Sequence, residues 1–195
     1  MRRAVALVLI GAGLALIAVL AGGRIVDSQE TAAAQAQLAT ELPPGAPITR
    51  AEPRPVATPV PTGRALLTMR IPRFGADWKW VVSEGTSATV LAGGPGHYSG
   101  TALPGERGNT AFAGHRAGHG DPFINFDQLR AGDRVVLQQG ANTWVYQIDG
   151  PPRIIPVSAS WVLDPTPGRK LTLTTCWPKY GSSKRMYVRA HLVAG

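Results

Sequence analysis

Seven prolines fall within the twenty positions from Pro43 to Thr62, at 43, 44, 47, 53, 55, 59 and 61. Proline lacks an amide N–H and fixes φ near −65°, so neither a helix interior nor a central strand can run through such a segment. It predicts an extended, semi-stiff spacer and divides the chain into two parts of different pattern. Before it lie Met1-Arg2-Arg3, an uncharged apolar run from Ala4 to Gly23, and the Ala- and Gln-rich stretch from Asp27 to Leu42. After it, from Ala65 to Gly195, short β-rich runs alternate with Gly, Pro, Asn and Asp turns.

The apolar run is about 20 residues long, and at ~1.5 Å rise per residue that length crosses a bilayer core of ~30 Å. Residues 4–23 are therefore expected to form a transmembrane anchor. Arg2 and Arg3 favour the cytoplasmic side, which leaves residues 1–3 inside. Residues 24–64 become an extracytoplasmic stalk and Pro-rich linker, and residues 65–195 an extracytoplasmic folded domain. The expected localisation is the cell membrane, single-pass. A cleaved secretory signal is the competing reading, but such signals carry an apolar region of about 7–15 residues and an A-x-A-like site. Here the run is longer and the site poor, and either reading exports the domain. Asp27 to Leu42 is expected to continue as a helical stalk.

In the folded part the β-rich runs are 66–71, 78–82, 110–115, 134–139, 143–148, 171–176 and 185–193. Gly140-Ala141-Asn142 suits a hairpin turn. Phe123 to Arg130 is the best helical candidate, with Asp121 as N-cap and Pro122 at the first position. Short strands at this density predict a mainly β fold, a closed barrel ahead of a sandwich, with one or two short helices.

The chain has 195 residues and a formal charge of +8, but its basic residues are scattered mostly singly. No run interleaves them with aromatics, which argues against a dedicated nucleic-acid binder. A basic domain held near anionic lipid and wall polymer accounts for the charge. The single cysteine, Cys176, rules out an intramolecular disulfide, and no Cys or His spacing suggests zinc. No metal or cofactor is expected.

Cys176 ends the run Thr172-Leu173-Thr174-Thr175-Cys176, where alternation places Thr172, Thr174 and Cys176 on one face. Trp177-Pro178 then stops the strand, leaving the thiol at an accessible end. Arg185 opens the next run nine positions later. His115 follows another β segment and precedes a Gly-rich turn. A thiol of ordinary pKa near ~8.5 is mostly protonated at pH 7, so acyl transfer through it needs a nearby base or cation. For an unperturbed pair, the thiolate–imidazolium form amounts to about one per cent. Arg185 brings a permanent charge able to hold a developing oxyanion. Arg189 shares its strand face and is the rival; Arg185 is preferred because it lies nearer the strand start. His97 and His119 sit in Gly-rich turns, lining a groove or facing solvent, and His191 lies within the last strand as a structural residue.

These residues carry a resemblance. TLTTC at 172–176, Arg185, and a histidine in the context AGHR 61 positions before the cysteine (176 minus 115) together resemble a sortase. GGPGHYSGTALPGERGNTAFAGHR, from Gly93 to Arg116, and TTCWPKYGSSKRMYVRAHL, from Thr174 to Leu192, are similar to class E sortases in particular. The resemblance covers the chain from Leu66 onward. It implies an eight-stranded sortase β-barrel and a transpeptidation in which Cys176 attacks the Thr carbonyl of an exported protein's C-terminal sorting signal. His115 then protonates the leaving Gly amine, and Arg185 positions substrate and steadies the oxyanion. The acyl group passes to an amine such as that of a lipid II peptide or a pilin lysine. Class E members prefer an LAxTG-like motif, and Tyr98 matches a tyrosine associated with that preference. Thr174, Thr175 and Trp177 complete the implied substrate-binding set, although Trp177 stands where a smaller or polar residue is more usual.

Two other readings compete. One is a hydrolase using the same Cys and His, separated by whether an added amine yields an amide product. The other is a catalytically silent, anchored binding module with Cys176 merely packed, separated by thiol labelling of the native domain.

Overall fold

Alternation of apolar and polar residues along the β-rich runs is what closes the fold. In a computed structural model, which describes residues 2–43 and 60–195, the strands are β1 (Ala65–Arg70), β2 (Lys79–Glu84), β3 (Gly96–His97), β4 (Gly108–Ala113), β5 (Arg134–Gln139), β6 (Asn142–Ile148), β7 (Arg153–Pro156), β8 (Arg169–Trp177) and β9 (Lys184–Ala194). Their order is β6-β5-β1-β2-β3-β4-β8-β9, and a further β6–β9 pairing closes the ring. Among the described residues, eight strands thus form a barrel, as expected, and β7 lies beside β9 as a ninth. Val135 and Leu137 of β5, Trp144, Tyr146 and Ile148 of β6, Leu171 and Leu173 of β8, and Met186, Val188 and Ala190 of β9 point inward into one core. This is the two-residue period of a strand with one face in the core. The two-residue loop Gly140-Ala141 joins β5 to β6, with Gly140 at φ +55° as a tight hairpin requires.

The helical expectation at Phe123–Arg130 is corrected. Only a 3-10 turn, Phe126–Gln128, forms there. Phe123, Phe126 and Leu129 are all buried at three-residue spacing, and Phe123 stacks on Trp78 with centroids 6.2 Å apart. A three-residue period suits a 3-10 turn better than an α-helix. Asp121 does not cap a helix; its carboxylate accepts the Gly118 N–H at 2.5 Å. The short helix in the domain is instead α2 (Ala88–Ala92), capped by the Ser87 hydroxyl. Neither α2 nor strands β3 and β7 were expected.

A single helix, α1 (Arg2–Glu41), runs through both the apolar run and the expected stalk. Its side chains are described at residues 10, 12 and from 15 onward. Among the described residues no helix is long and apolar enough to cross a membrane; the side chains of residues 4–9, 11, 13 and 14 of the expected span, and nearly all of the Pro-rich linker, lie outside what is described. The later part of α1 docks on the barrel. The Gln35 amide pairs with the Val81 backbone in both directions, accepting its N–H at 2.7 Å and donating to its carbonyl at 3.0 Å, and also donates to Gly93 O at 2.7 Å. Thr31, buried, donates to Ala92 O at 3.2 Å. Glu41 accepts the N–H of Ala65 at the start of β1.

Candidate active site

Three neighbouring strands bring the expected residues together. β4 and β8 run parallel with Ala113 opposite Thr174, an offset of 61, the same interval that separates His115 from Cys176. Two residues past the paired end, His115 and Cys176 therefore leave adjacent strands at one level. Hydrogen bonds carry the register onward: Gly114 N–H donates to Thr174 O at 3.2 Å, and the Thr175 hydroxyl donates to Gly114 O at 2.8 Å. On the other side of β8, antiparallel β9 sets Arg185 directly opposite Cys176. Directly opposed residues share a sheet face with Cβ atoms about 5 Å apart. Thiol and guanidinium therefore leave the sheet on the same side. Arg189 sits opposite Thr172 instead, and lines a separate groove with Asp149 and Arg153.

Cys176 and His115 line one cleft of about 500 Å³, with Arg116, Gly118, Lys179 and Ser182 around them. Cys176 is half-buried and unbridged. The Arg185 guanidinium donates to the carbonyls of Ser182 and Lys184, at 3.0 and 3.1 Å, which ties it to the loop forming the cleft edge. His115 is held below the usual imidazole range, first by burial and then by the charge of His119, against an opposing pull from the Asp27 carboxylate. A neutral imidazole beside a thiol can take its proton as the sulfur attacks a carbonyl and return it to a leaving amine.

The expected substrate-binding residues divide. The Tyr98 hydroxyl meets Thr174 Oγ1 at 3.0 Å, so these two act as one unit behind the cysteine. Thr174 and Thr175 are buried, and the Thr175 hydroxyl is spent on Gly114; its visible role is to lock the His115 strand to the Cys176 strand. Trp177 stacks over Arg116, whose guanidinium carbon lies 4.9 Å from the ring centroid. Arg116 is only 2% exposed and pairs with Asp127 at 3.0 Å. Its Nε and Nη1 find no hydrogen-bond partner among the described residues, so the indole face supplies part of their compensation.

His97 neither lines the cleft nor faces solvent. It is buried with Nδ1 2.7 Å from Glu84 Oε2, and Ser99 donates to the other Glu84 oxygen at 2.6 Å, bracing the hairpin that carries Tyr98. The pair holds the Glu84 carboxyl below its usual range despite the upward push of burial, which is the largest single influence on it. His191 pairs with Asp149 at 2.5 Å on the outside of β9. His119 lies against His115, ring centroids 4.6 Å apart. Arg116, Asp127 and Asp27 were not singled out from sequence; the AGHR context was the one signal that touched any of them. Among the described residues no cluster of His, Cys, Asp or Glu could hold a metal ion.

The Sortase domain family model matches residues 69–193. The chain belongs to the sortase family of cysteine transpeptidases. Sortase SrtE1 of Streptomyces coelicolor is 34% identical over 149 residues, covering 67% of this chain and 41% of that protein. Sortase SrtE2 of the same organism is 34% identical over 130 residues, covering 58% of this chain and 50% of that protein. The chain thus spans half or less of these two curated relatives. Among solved structures, sortase E from Streptomyces avermitilis is 44% identical with a TM-score of 0.65, covering 69% of this chain and 91% of that one. These matches bear out the resemblance to class E read from the motifs. A structure of sortase E1 from S. coelicolor, 34% identical with a TM-score of 0.59, over 67% of this chain and 89% of that one, holds a tripeptide in its active site.

Proposed function

We propose that this sortase is an outward-facing, membrane-anchored transpeptidase that cleaves an LAxTG- or LPxTG-like sorting signal after Thr and passes the acyl group to an amine of a cell-wall precursor or pilin. The observation that carries the reading is the common register of β4, β8 and β9, which aligns His115, Cys176 and Arg185 at one strand end. In the first half-reaction Cys176 Sγ bonds to the Thr carbonyl carbon and its proton passes to His115. The C–N bond to Gly then breaks, and the leaving amine takes that proton. In the second, the acceptor nitrogen bonds to the same carbon, the C–S bond breaks, and the amine's proton returns through His115 to sulfur. Arg185 faces the oxyanion in both tetrahedral intermediates. Tyr98, paired with Thr174 behind the cysteine, and Trp177, stacked on the cleft-lining Arg116, shape the site toward the sorting motif from behind its surface, while Thr175 holds the β4–β8 register.

Anchoring is supported by the apolar run at 4–23 and by the surface of α1. Ile10, Leu16, Ile17, Val19 and Leu20 are each at least 60% exposed, a row of large apolar side chains that water disfavours and lipid accepts. The test incubates the full chain in detergent with an LAxTG peptide, with and without an amine. Amide product that grows with amine concentration is expected. Hydrolysis alone at every amine concentration rejects the transferase reading in favour of a peptidase.

A further inference from the structure

The turn after His115 contains four consecutive residues of left-handed backbone: Gly118, His119, Gly120 and Asp121, at φ +82°, +53°, +72° and +55°. Glycine adopts this region freely, but a residue with a Cβ does so only where its surroundings hold it there. Much of that hold comes from α1. Asp27 accepts the His119 backbone N–H on one oxygen at 2.6 Å and faces His119 Nδ1 with the other at 2.8 Å. One turn along, Thr31 packs with Trp80 against Gly120 so closely that a Cβ there would lie 3.1 Å from Thr31 and 2.7 Å from Trp80. The His119 ring, held at both ends of its residue, lies on the His115 ring with a centroid separation of 4.6 Å. Arg24, one turn earlier on α1, lines the Cys176 cleft itself.

We infer that α1 completes the catalytic site: Asp27 is a positioning residue that, by clamping His119, fixes the orientation and charge environment of His115. This deepens the transpeptidase reading and rests on it only for the identity of the reaction. The charged and titratable groups around His115 are His119 and Asp27, Arg116 with its partner Asp127, Arg24, Lys179 and Tyr180 along the cleft, and Cys176 and Arg185 in register on β8 and β9. Asp27 and His119 lie on different elements, so their contact exists only while the helix is docked. Gln35 and Thr31 provide that docking.

The experiment uses the full chain in detergent as wild type, Asp27→Asn, Asp27→Glu, His119→Gln, the Asp27→Asn/His119→Gln double variant and Gln35→Ala. Three quantities are read: the His115 ring titration by NMR, the pH profile of Cys176 alkylation by iodoacetamide, and kcat/KM for an LAxTG peptide. The first two need no substrate. If transpeptidation fails while they respond, the functional reading falls and this inference stands. His119→Gln removes the neighbouring ring whose charge contributes to holding His115 low, and is expected to raise the His115 midpoint. Asp27→Asn is expected to shift the alkylation profile and lower kcat/KM about tenfold through misplacement of the imidazole, with Asp27→Glu restoring most of it. Gln35→Ala, which loosens the helix at a distance, should shift both profiles in the direction of Asp27→Asn. In the His119→Gln background, Asp27→Asn should add no more than about a twofold effect. Profiles unchanged in Asp27→Asn, or effects of the two single variants that multiply in the double, overturn the inference.

Discussion

Replacing Arg185 by alanine isolates the contribution of the guanidinium, because the backbone pairing that places it opposite Cys176 does not depend on the side chain. The two Cβ atoms are about 5 Å apart across the ladder, a separation that an arginine side chain can span to bring its guanidinium to the oxygen of a carbonyl under attack by sulfur. Loss of one such preorganised donor costs about 2.7–4 kcal/mol, or a factor of about 10² to 10³ in kcat. Part of that loss comes through the Pro178–Ser183 loop, since Arg185 also bonds the carbonyls of Ser182 and Lys184. Arg185→Lys keeps the charge but not the planar fork, and should fall between wild type and alanine. Arg189 is the internal control: opposite Thr172, four residues along the strand from the cysteine's partner, it lies about 13 Å away. Arg189→Ala should stay within about twofold of wild type, since most surface substitutions away from a site perturb little. The assay is kcat/KM for an LAxTG peptide, with the pre-steady-state acylation rate measured alongside. Arg185→Ala within threefold of wild type, or Arg189→Ala falling as far as Arg185→Ala, refutes the assignment.

Three further outcomes are expected. Gly114→Ala places a Cβ 2.7 Å from two ring carbons of Phe123, a fully buried side chain with no room to swing aside; it should destabilise the domain by about 1–3 kcal/mol in denaturant titration and displace His115 enough to abolish turnover, and an unchanged midpoint contradicts this. Tyr98→Phe removes the hydroxyl that meets Thr174, at a cost of about 1 kcal/mol, and should relax the preference between LAxTG and LPxTG peptides without blocking acylation; preference ratios equal to wild type contradict it. Because burial holds His115 below its unfolded value of about 6.5, its contribution to stability is complete above that value and is lost as pH falls through the depressed folded value. His115→Gln should therefore flatten the fall of melting temperature with acid below about pH 6.5, and an unaltered slope argues against a buried neutral imidazole.

The barrel and its centre were legible in sequence to the extent that one interval encoded them. The 61 residues between His115 and Cys176 are the offset of the parallel pairing of β4 and β8, so the motif spacing carried the tertiary contact. The choice between Arg185 and Arg189 was less legible, because both share a strand face and only the β8–β9 register decides which one meets the cysteine. The Asp-Pro start after the His115 loop favours an α-helix on local pattern, yet Phe123, Phe126 and Leu129 are all buried in the core, a three-residue period that suits the 3-10 turn found there. His97, set among glycines, reads locally as a groove or surface residue; its partner Glu84 lies on a parallel-paired neighbour thirteen positions earlier, which local pattern does not reveal. The docking of α1 was hard to read because Asp27, Thr31 and Gln35 carry much of it through polar contacts to backbone and loop, with Ala34 and Leu38 adding apolar contact beside Gly93.

The central claim is that Cys176 becomes the acyl carrier in a cleft it shares with His115. Intact-mass spectrometry of the full chain quenched with acid during incubation with an LAxTG peptide tests it directly. A species heavier by the peptide fragment ending in Thr, located on Cys176 by proteolysis and absent from Cys176→Ala, is the predicted result. Peptide turnover with no adduct on Cys176, or turnover retained in Cys176→Ala, contradicts it.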